Sequence, residues 1–449
     1  MLKNLDNKNY TLFEKYKGYK LTKYYVSSFL NDDSYILFSC ISGSLIKLEK
    51  RKYEALVNLD LDIFEEQELE KLIKMGFFTK RNELKDLEKI REHIVTTRYK
   101  QSLGLTILTT TACNARCSYC FEKGIVPSYL SKENANKIIN FILKNYNEKP
   151  LHISWFGGEP LLNYDIINYI CEKIISNGIS FNSTMISNGY LFDKVSPEML
   201  KLWNLKKVQI TLDGVGAIYN EIKNYYGVHN AFDKVISNIH YLLKNNIKVV
   251  IRINYNPDNF ILASNTIDWI YSTFGSNNKL LNVYCVNIFD HNVKHVNEIE
   301  NNENNPYLVL TKKLIDYGYI TDLKKLGFSM KRVFCGIYHN YFVINSDGNI
   351  YKCEHTCNDS SEIIGTIKND KVDECMYQKW LDIKLPSKEC ETCNVLPCCQ
   401  GNCKSLIKEY GLHATCIPIK KYGETLLKYF VERRGKDGNH CWKGNWFWK

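Results

Sequence analysis

The sequence predicts an α/β protein with an open, partial (β/α)6 barrel at its centre, a small α/β unit before it and a cysteine-rich region after it. Three observations support this fold class. Strand-like and helical segments alternate through residues 104–330, a charged helical stretch precedes them, and eleven of the 17 cysteines lie beyond residue 331. A chain of 449 residues is long enough for two or three domains. We therefore divide it into residues 1–98, 99–330 and 331–449.

The first 98 residues carry the pattern of a small α/β unit. Strand-like segments at 35–39 and 44–48 flank Ile41-Ser-Gly, which is a turn signal. The other predicted elements are helices at 54–57 and 65–75, a short strand at 77–79 and a charged helical linker at 81–98. This layout resembles the recognition element of enzymes that modify ribosomally made peptides (the RiPP recognition element). That element is a winged-helix-like domain that binds the leader of the precursor peptide. The resemblance implies that a leader adds as a strand to the sheet edge; the alternative is a structural cap on the barrel.

The central region alternates between strands and helices at a spacing that predicts parallel strands with crossover helices. The candidate strands are 105–109, 151–156, 183–187, 208–212, 249–253 and 283–288. The clearest helices between them are 133–145, 164–176, 232–245 and 261–274. Six units are too few for the closed, eight-stranded TIM barrel, so we predict a partial TIM-like barrel. Functional residues of such folds gather at the carboxyl ends of the strands.

A loop directly after the first candidate strand contains Cys113, Cys117 and Cys120 in the spacing C-x3-C-x2-C. Thiolates are the normal protein ligands of iron–sulfur clusters. Three thiolates bind three of the irons in a four-iron cluster and leave the fourth iron open to a substrate or cofactor. The alternatives are a zinc site or scattered structural thiols.

Short motifs follow the next four candidate strands in order. They are Gly157-Gly-Glu-Pro160, Ser187-Asn-Gly189, Leu212-Asp-Gly214 and Ile251-Arg-Ile-Asn254. The paired glycines would let the backbone approach a ligand closely. Each string is weak alone, but the ordered set, each member at a strand end, is a strong signal.

Together with the three cysteines, these motifs resemble those of the radical S-adenosylmethionine (SAM) enzymes. The resemblance implies that the open iron chelates the amino and carboxylate groups of SAM. One electron from the cluster then releases methionine and a 5′-deoxyadenosyl radical, which takes a hydrogen atom from substrate. The resemblance also implies which residues bind SAM, through contacts with its adenine, amino group, carboxylate and ribose. They are Tyr119, Gly157, Gly158, Glu159, Ser187, Asn188, Asp213 and Arg252.

One position departs from the pattern of that superfamily. Relatives often carry an arginine some nine residues after the Asp-Gly pair, near the SAM carboxylate. Here the stretch reads Tyr219-Asn-Glu-Ile-Lys223. Lys223 could act as a point charge, but lysine lacks the planar fork of arginine. The sequence leaves this role unassigned.

The C-terminal cysteines resemble those of the seven-cysteine SPASM domain in number, order and spacing. They are Cys335, Cys353, Cys390, Cys393, Cys399, Cys403 and Cys416. The resemblance implies two auxiliary [4Fe–4S] clusters. Cys390, Cys393, Cys399 and Cys416 would hold the distal cluster, and Cys335, Cys353 and Cys403 the nearer one. The alternative is a set of zinc ribbons, since C-x2-C pairs also suit zinc.

The fourth ligand of the nearer cluster is left open by the sequence. Some relatives have a cysteine where this chain has Tyr341. Cys357 or Cys375 could replace it, or the iron could bind a substrate thiolate. Residues 342–351 predict a β-hairpin with Asp-Gly at its turn, which would place Cys353 at a strand end. Glu354 follows directly and is the candidate catalytic acid, because related sulfatase-maturing enzymes carry an acid there.

The composition of the chain limits where the protein can be located and which partners it can bind. The net charge of +10 permits an acidic partner such as a peptide leader, and the absence of a dense Lys/Arg block argues against nucleic acid. The start lacks a hydrophobic signal region, and no apolar run reaches membrane-spanning length. Without a signal peptide, clustered cysteines indicate metal binding in a reducing cytoplasm, not disulfides. The assignment of iron–sulfur clusters further predicts that the cell is poor in oxygen.

These observations predict a radical SAM oxidoreductase that matures a ribosomally made precursor peptide, joining a cysteine sulfur to another residue as a thioether. The expected partners are the precursor peptide and a low-potential electron donor such as flavodoxin or ferredoxin. Rival reactions are formylglycine formation by an anaerobic sulfatase-maturing enzyme, a carbon–carbon cross-link and epimerisation. A rival of another class is a zinc-stabilised adaptor without catalysis.

Overall fold

The computed structural model describes residues 15–98, 102–288, 304–330, 340–369, 371–382 and 384–436. The strands of the N-terminal unit are β1 (Lys20–Leu21), β2 (Tyr25–Asn31), β3 (Ser34–Ser39), β4 (Leu45–Glu49) and β5 (Phe78–Thr79). Its helices are α1 (Lys50–Asn58), α2 (Glu66–Lys74) and α3 (Glu83–Arg98). The predicted strands, helices and linker of this unit are therefore confirmed.

The N-terminal unit contains two small antiparallel sheets. One has the order β2-β3-β4, and the other pairs β1 with β5. Helix α2 begins with a capping box in which the side chains of Glu65 and Glu68 each accept the other's backbone N–H. Helices and strands enclose a core of their own that includes Phe64, Leu69 and Phe77. The unit thus has its own hydrophobic cluster.

The opposite face of the β2-β3-β4 sheet packs against the rest of the protein. Val26 and Phe38 are buried and belong to the main core, not to the core of the N-terminal unit. The ring of Phe38 meets Phe328 edge to face, with 5.1 Å between centroids. The methyl groups of Val26 lie against Gly423 in the long C-terminal helix. Because both faces of this sheet are buried, the unit is fastened to the body of the protein.

The central sheet has six parallel strands arranged in chain order. They are β6 (Gly104–Thr110), β7 (Leu151–Gly157), β8 (Phe181–Ser187), β9 (Leu205–Thr211), β10 (Lys248–Tyr255) and β11 (Leu281–Asn287). Each strand pairs with its sequence neighbour, and β11 ends the sheet without pairing to β6. This open arrangement confirms the partial (β/α)6 barrel.

Helices connect the strands and cover the outer face of the sheet. The connecting helices are α4 (Lys132–Asn145), α5 (Tyr164–Ser176), α6 (Pro197–Leu202), α7 (Gly216–Lys223), α8 (Phe232–Lys244), α9 (Phe260–Phe274) and α10 (Pro306–Asp316). The amphipathic pattern seen in the sequence corresponds to their buried faces: α5, for example, buries Ile167, Ile170 and Ile174. Side chains from these helices and from the strands form the main hydrophobic core.

The C-terminal region continues the barrel sheet. Its strands are β12 (Tyr341–Ile344), β13 (Asn349–Tyr351), β14 (Gly365–Thr366) and β15 (Lys371–Val372). The predicted hairpin is β12-β13, and β12 also pairs in parallel with β6, in a register that sets Tyr341 opposite Gly104. One ten-stranded sheet results. The sequence predicted the hairpin but not its position beside the first barrel strand.

Short helices follow these strands and carry four of the cysteines, Cys375, Cys390, Cys398 and Cys399. These helices are α11 (Glu374–Leu381), α12 (Glu389–Thr392), α13 (Leu396–Cys399) and α14 (Lys404–Tyr410), followed by the long α15 (Ile419–Lys436). Helix α15 packs against β2 of the N-terminal unit and against α10 of the barrel. In the described ranges, no helix is long and apolar enough to cross a bilayer.

Candidate radical SAM site

The three-cysteine loop begins where β6 ends, at the carboxyl edge of the parallel sheet. Backbone contacts with the end of α7 hold it in place. The carbonyl of Lys223 accepts a hydrogen bond from the Arg116 N–H at 3.0 Å and lies 3.9 Å from Sγ of Cys117. The carbonyl of Asn114 accepts from the Tyr226 N–H at 2.9 Å. The loop is therefore positioned by a helix that follows a different strand.

All three cysteines of this loop are free thiols and only partly exposed. Burial, followed by the nearby Glu159 carboxylate, raises the pKa of Cys113 to about 12. Burial also raises the pKa of Cys120. Iron binding must therefore release protons from this loop, as metal binding by thiols generally does. Three soft donors on one loop fit a four-iron cluster with an open iron.

The paired glycines lie against this loop and allow a close backbone approach. The N–H groups of Gly158 and Glu159 donate to the carbonyls of Thr110 and Ala112 at 3.1 and 2.9 Å. A Cβ added at Gly157 would lie 2.0 Å from the Thr110 oxygen, and one at Gly158 2.4 Å from the Ala112 oxygen. In the described residues the glycines thus serve a backbone–backbone contact, whereas the sequence suggested an approach to a ligand.

Glu159 is completely buried and joins two loops. Its carboxylate accepts hydrogen bonds from the N–H of Asn188 at 2.8 Å, the hydroxyl of Ser187 at 2.9 Å and the N–H of Leu161 at 3.1 Å. Burial raises the pKa of Glu159 to about 7, although these hydrogen bonds act in the opposite direction. Asn188 also donates its side-chain amide to Asn114, at 2.7 Å, inside the three-cysteine loop.

Asp213, Lys223 and Tyr119 form a buried polar cluster below the cysteines. Lys223 Nζ lies 3.1 Å from a carboxylate oxygen of Asp213, and both side chains are only 3% exposed. The Tyr119 hydroxyl donates to the same oxygen and accepts from Lys223 at 2.5 Å. Burial lowers the pKa of Lys223, but attraction to Asp213, together with the effects of Tyr119 and Cys117, outweighs burial and holds that pKa well above its ordinary value. The cluster ties the three-cysteine loop to the end of β9.

Arg252 reaches the same cluster through Asn254. Its Nε donates to the Asn254 side-chain oxygen at 2.8 Å, and the Asn254 N–H donates to Asp213 at 2.7 Å. In the part of the chain that the structure describes, the terminal nitrogens of Arg252 have no hydrogen-bond partner. They remain available for a carboxylate such as that of SAM.

The structure thus brings all the SAM-site residues named from the sequence to the carboxyl ends of β6 to β10. It also adds Lys223, whose role the sequence left unassigned, and Asn254. The signal for Lys223 was a basic residue at the offset where relatives carry arginine. A buried ion pair with Asp213 cannot be inferred from that offset, because pairing depends on how α7 folds back over the sheet.

The hairpin β12-β13 places Cys353 and Glu354 beside this site. The hydroxyl of Tyr341 lies 2.8 Å from the Thr106 hydroxyl of β6 and donates to Glu354 at 3.4 Å. The ring of His355, next in sequence, contacts Phe121 of the three-cysteine loop, with 4.9 Å between centroids.

Of the three cysteines proposed for the nearer cluster, Cys353 and Cys403 lie in the described residues. Cys353 is buried and precedes a short 3-10 turn, Glu354–Thr356. Cys357 is also buried, and its thiol lies 3.6 Å from the Cys353 carbonyl. Cys375 is exposed and Cys403 is partly exposed. Cys335 lies outside the described residues, so the fourth ligand stays open.

The four cysteines assigned to the distal cluster line one cavity. They are Cys390, Cys393, Cys399 and Cys416. In the ranges that the structure describes, no three His, Cys, Asp or Glu side chains converge closely enough to hold a single metal ion. Four thiols around one cavity fit a four-iron cluster, because each of the four irons takes one cysteine ligand.

Positive charge surrounds this four-cysteine cavity. Lys420 Nζ lies 3.6 Å from Sγ of Cys416. Arg91 of α3 is only 5% exposed. Burial lowers the pKa of Arg91, while the nearby thiols of Cys399 and Cys390 act in the opposite direction. Cationic groups beside several thiolates fit a cluster whose total charge is negative.

The N-terminal unit touches the same cysteine loop. Lys23 donates to the Glu391 carbonyl at 2.7 Å, and Asn394 donates to the Tyr25 carbonyl at 3.0 Å. The buried thiol of Cys398 lies 3.9 Å from the Cys40 carbonyl. The loop between Cys390 and Cys399 is therefore packed between the N-terminal unit and the four-cysteine cavity.

Residues 107–261 match the family model described as the Radical SAM superfamily. This part of the chain is therefore a radical SAM domain, and that family implies SAM and a four-iron cluster.

The chain is 23% identical to the radical SAM cyclopropyl synthase TigE of Paramaledivibacter caminithermalis, over 87% of this chain and 91% of that protein. It is 24% identical to the cysteine-type anaerobic sulfatase-maturating enzyme of Clostridium novyi, over 68% of this chain and 88% of that enzyme.

A solved structure shares this fold. It is native anSMEcpe with bound AdoMet and Cp18Cys peptide, which is 17% identical to this chain. The alignment covers 74% of this chain and 99% of that chain, with a TM-score of 0.56. The likeness supports the architecture of a radical SAM enzyme.

Proposed function

We propose that this chain is a radical SAM oxidoreductase that modifies a ribosomally made precursor peptide, joining a cysteine sulfur to a carbon of another residue. The observation that carries the proposal is the direct packing of three parts. The three-cysteine loop adjoins the Cys353 hairpin, and the four-cysteine cavity adjoins the N-terminal unit. Relatives named as a cyclopropyl synthase and a sulfatase-maturating enzyme share most of the chain's length.

In this proposal, Cys113, Cys117 and Cys120 hold the SAM cluster. When bound there, SAM supplies a 5′-deoxyadenosyl radical that removes a hydrogen atom from substrate. The terminal nitrogens of Arg252 would bind the SAM carboxylate, and Tyr119 would contact the adenine, as the family resemblance implies. The Asp213–Lys223 pair keeps Tyr119 and the three-cysteine loop in register with β9.

Thioether formation removes a hydrogen atom from carbon, a proton from the thiol and one further electron. Glu354 accepts the thiol proton, and the hydroxyl of Tyr341 orients its carboxylate. The cysteines Cys353 and Cys403, with Cys335, bind the nearer auxiliary cluster, and the four-cysteine cavity holds the distal one. Clusters bound there would supply one-electron redox chemistry, and an external acceptor takes up the remaining electron. A low-potential donor such as flavodoxin or ferredoxin supplies the electron that cleaves SAM.

The test is an anaerobic reaction of the reduced protein with SAM and a precursor peptide encoded beside its gene. We expect 5′-deoxyadenosine, a peptide lighter by two hydrogen atoms, and one fewer thiol that reacts with iodoacetamide. A reduced, iron-loaded protein that forms no 5′-deoxyadenosine would contradict the radical SAM proposal. Formation of 5′-deoxyadenosine with unchanged peptide mass would contradict cross-linking.

Two rival reactions have specific support and different products. Glu354 follows Cys353, as the sulfatase-maturing resemblance implies, and that reaction would leave an aldehyde that captures a hydrazide probe. The TigE relative favours formation of a carbon–carbon bond. That product would also lose two hydrogen atoms, but every peptide thiol would still react with iodoacetamide. The thiol count therefore separates the proposed thioether from the carbon–carbon product. The hydrazide probe separates it from formylglycine, because forming that aldehyde from a cysteine also consumes a thiol.

Replacing Cys399 by serine tests the distal cluster. We expect iron content after anaerobic reconstitution to fall by about four atoms from a total of about twelve, because one cluster is lost. Cys171→Ala is the matched control, since Cys171 is a buried cysteine of α5 outside the cavity. Iron content unchanged in Cys399→Ser would remove Cys399 from the ligand set.

A further inference from the structure

An open groove lies on the N-terminal unit between β1, β5 and the start of α3. Its volume is about 500 Å³. Four cationic residues line it, namely Lys20, Lys23, Lys80 and Arg81, and all four are exposed. This is a concentration of positive charge on a unit to which no SAM-site residue belongs.

The charge of the groove is not neutralised locally. In the described part of the chain, none of the four cationic side chains has a carboxylate within ion-pair distance. The acid in the lining, Glu83, is only 7% exposed and accepts hydrogen bonds from the Thr22 hydroxyl and, at 3.5 Å, the Lys23 N–H. The groove therefore presents several positive charges to solvent, which favours an anionic partner.

The backbone beside the groove suits an extended chain. Strands β1 and β5 pair over only two residue pairs, Lys20 with Thr79 and Leu21 with Phe78. No third strand joins this sheet within the described residues. Exposed strand edges are the usual templates for an added peptide strand. Leu21 and Leu84 supply the apolar part of the lining.

The groove also adjoins the cysteine region. Lys23, which lines it, donates to the carbonyl of Glu391, a residue between Cys390 and Cys393. A chain bound in the groove would run beside the loop that encloses the four-cysteine cavity. That position is suitable for a leader segment whose following residues must reach the catalytic half of the protein.

We propose that this groove binds an acidic, extended segment of the peptide substrate. The inference rests on the proposed function and adds two points to it, the binding place and the charge of the bound segment. The RiPP recognition element resemblance implies only that a leader adds to a sheet edge. The competing edge in the same unit is β4, which pairs with no strand but β3 within the described ranges. It carries the exposed Lys47, close in sequence to the exposed Arg51 of α1.

The experiment compares two charge reversals of equal size in the full chain. Lys20→Glu with Arg81→Glu alters the groove, and Lys47→Glu with Arg51→Glu alters the β4 edge. The probe is a fluorescein-labelled peptide of alternating glutamate and valine, about twelve residues long, which suits a strand added to an edge. Fluorescence anisotropy measures Kd for each protein. A lysine–valine peptide of the same length controls for apolar binding.

We expect the groove reversal to raise Kd for the acidic peptide about tenfold or more, because two attractive charge contacts become repulsive. The β4-edge reversal should change Kd by less than about twofold, and added salt should weaken binding to the unaltered protein. All altered side chains are exposed, so thermal unfolding should stay unchanged and show that both variants are folded.

Equal loss in both variants, or a greater loss in the β4-edge variant, would overturn the groove assignment. Tighter binding of an oligouridine than of the acidic peptide would also overturn it, since the groove would then be a nucleic-acid site. Cleavage of SAM to 5′-deoxyadenosine without peptide is a separate readout. If it proceeds while the groove reversal has no effect, the groove proposal fails and the radical SAM proposal survives.

Discussion

Replacing Lys223 by methionine is expected to lower the free energy of unfolding by about 3–5 kcal/mol, because it leaves the buried Asp213 carboxylate without its cation. Asp213 and Lys223 are each only 3% exposed, so water cannot replace the lost partner. The hydroxyl of Tyr119 and the N–H of Asn254 would remain as donors to Asp213. Thermal unfolding under anaerobic conditions measures the change.

The matched control is Lys244→Met, at the exposed end of α8, which should cost less than about 0.5 kcal/mol. The double variant Lys223→Met with Asp213→Asn should be more stable than Lys223→Met alone, because it removes the uncompensated charge. A loss for Lys223→Met as small as that of the control would show that the pair does not stabilise the site.

The same substitution should reduce iron binding by the three-cysteine loop. The Lys223 carbonyl accepts from Arg116 and lies beside Cys117, so displacement of the end of α7 moves the loop. We expect Lys223→Met to bind about four fewer iron atoms than the unaltered chain. Lys223→Arg keeps the charge and should bind most of the iron that Lys223→Met loses. This comparison separates the effect of the charge from the effect of packing.

Gly158→Ala is expected to abolish iron binding by the three-cysteine loop and to cost about 1–3 kcal/mol of stability. The added Cβ would lie 2.4 Å from the Ala112 oxygen and 2.6 Å from its carbonyl carbon. Both are backbone atoms, which cannot rotate away as a side chain can. The chain must therefore shift in the residues that lead into Cys113. Iron content and thermal unfolding of the anaerobically reconstituted protein measure both effects.

Gly157→Ala should be at least as damaging, since its φ of +128° is unfavourable for alanine and its Cβ would lie 2.0 Å from the Thr110 oxygen. Gly178→Ala is the control, because Gly178 also has a positive φ, of +70°, but its Cβ would contact nothing within 4 Å. It should lose about 1 kcal/mol or less and retain all its iron. Full iron content in Gly158→Ala would disprove this account of the paired glycines.

Local sequence patterns were sufficient for most of the secondary structure. Helix α5 has the predicted bounds, and β7 differs from its prediction by one residue at one end. These elements have strong periodicity or continuous apolar runs, and motif order placed Cys113, Glu159 and Asp213 at neighbouring strand ends. The polar partners of these residues were not predictable in the same way. Lys223 illustrates this, because its role depends on a buried contact with Asp213, which lies ten positions earlier in the chain.

By itself, the sequence determined the open barrel, the order of the strand-end motifs and the cysteine spacings, because periodicity and short motifs are properties of neighbouring residues. Only the tertiary structure decided that β12 extends the sheet beside β6 and that α7 anchors the three-cysteine loop. It likewise decided that the N-terminal unit packs on the loop near Cys390. Such contacts join residues far apart in the chain, and they arise from the burial of apolar faces and the pairing of buried charges, which local patterns do not encode.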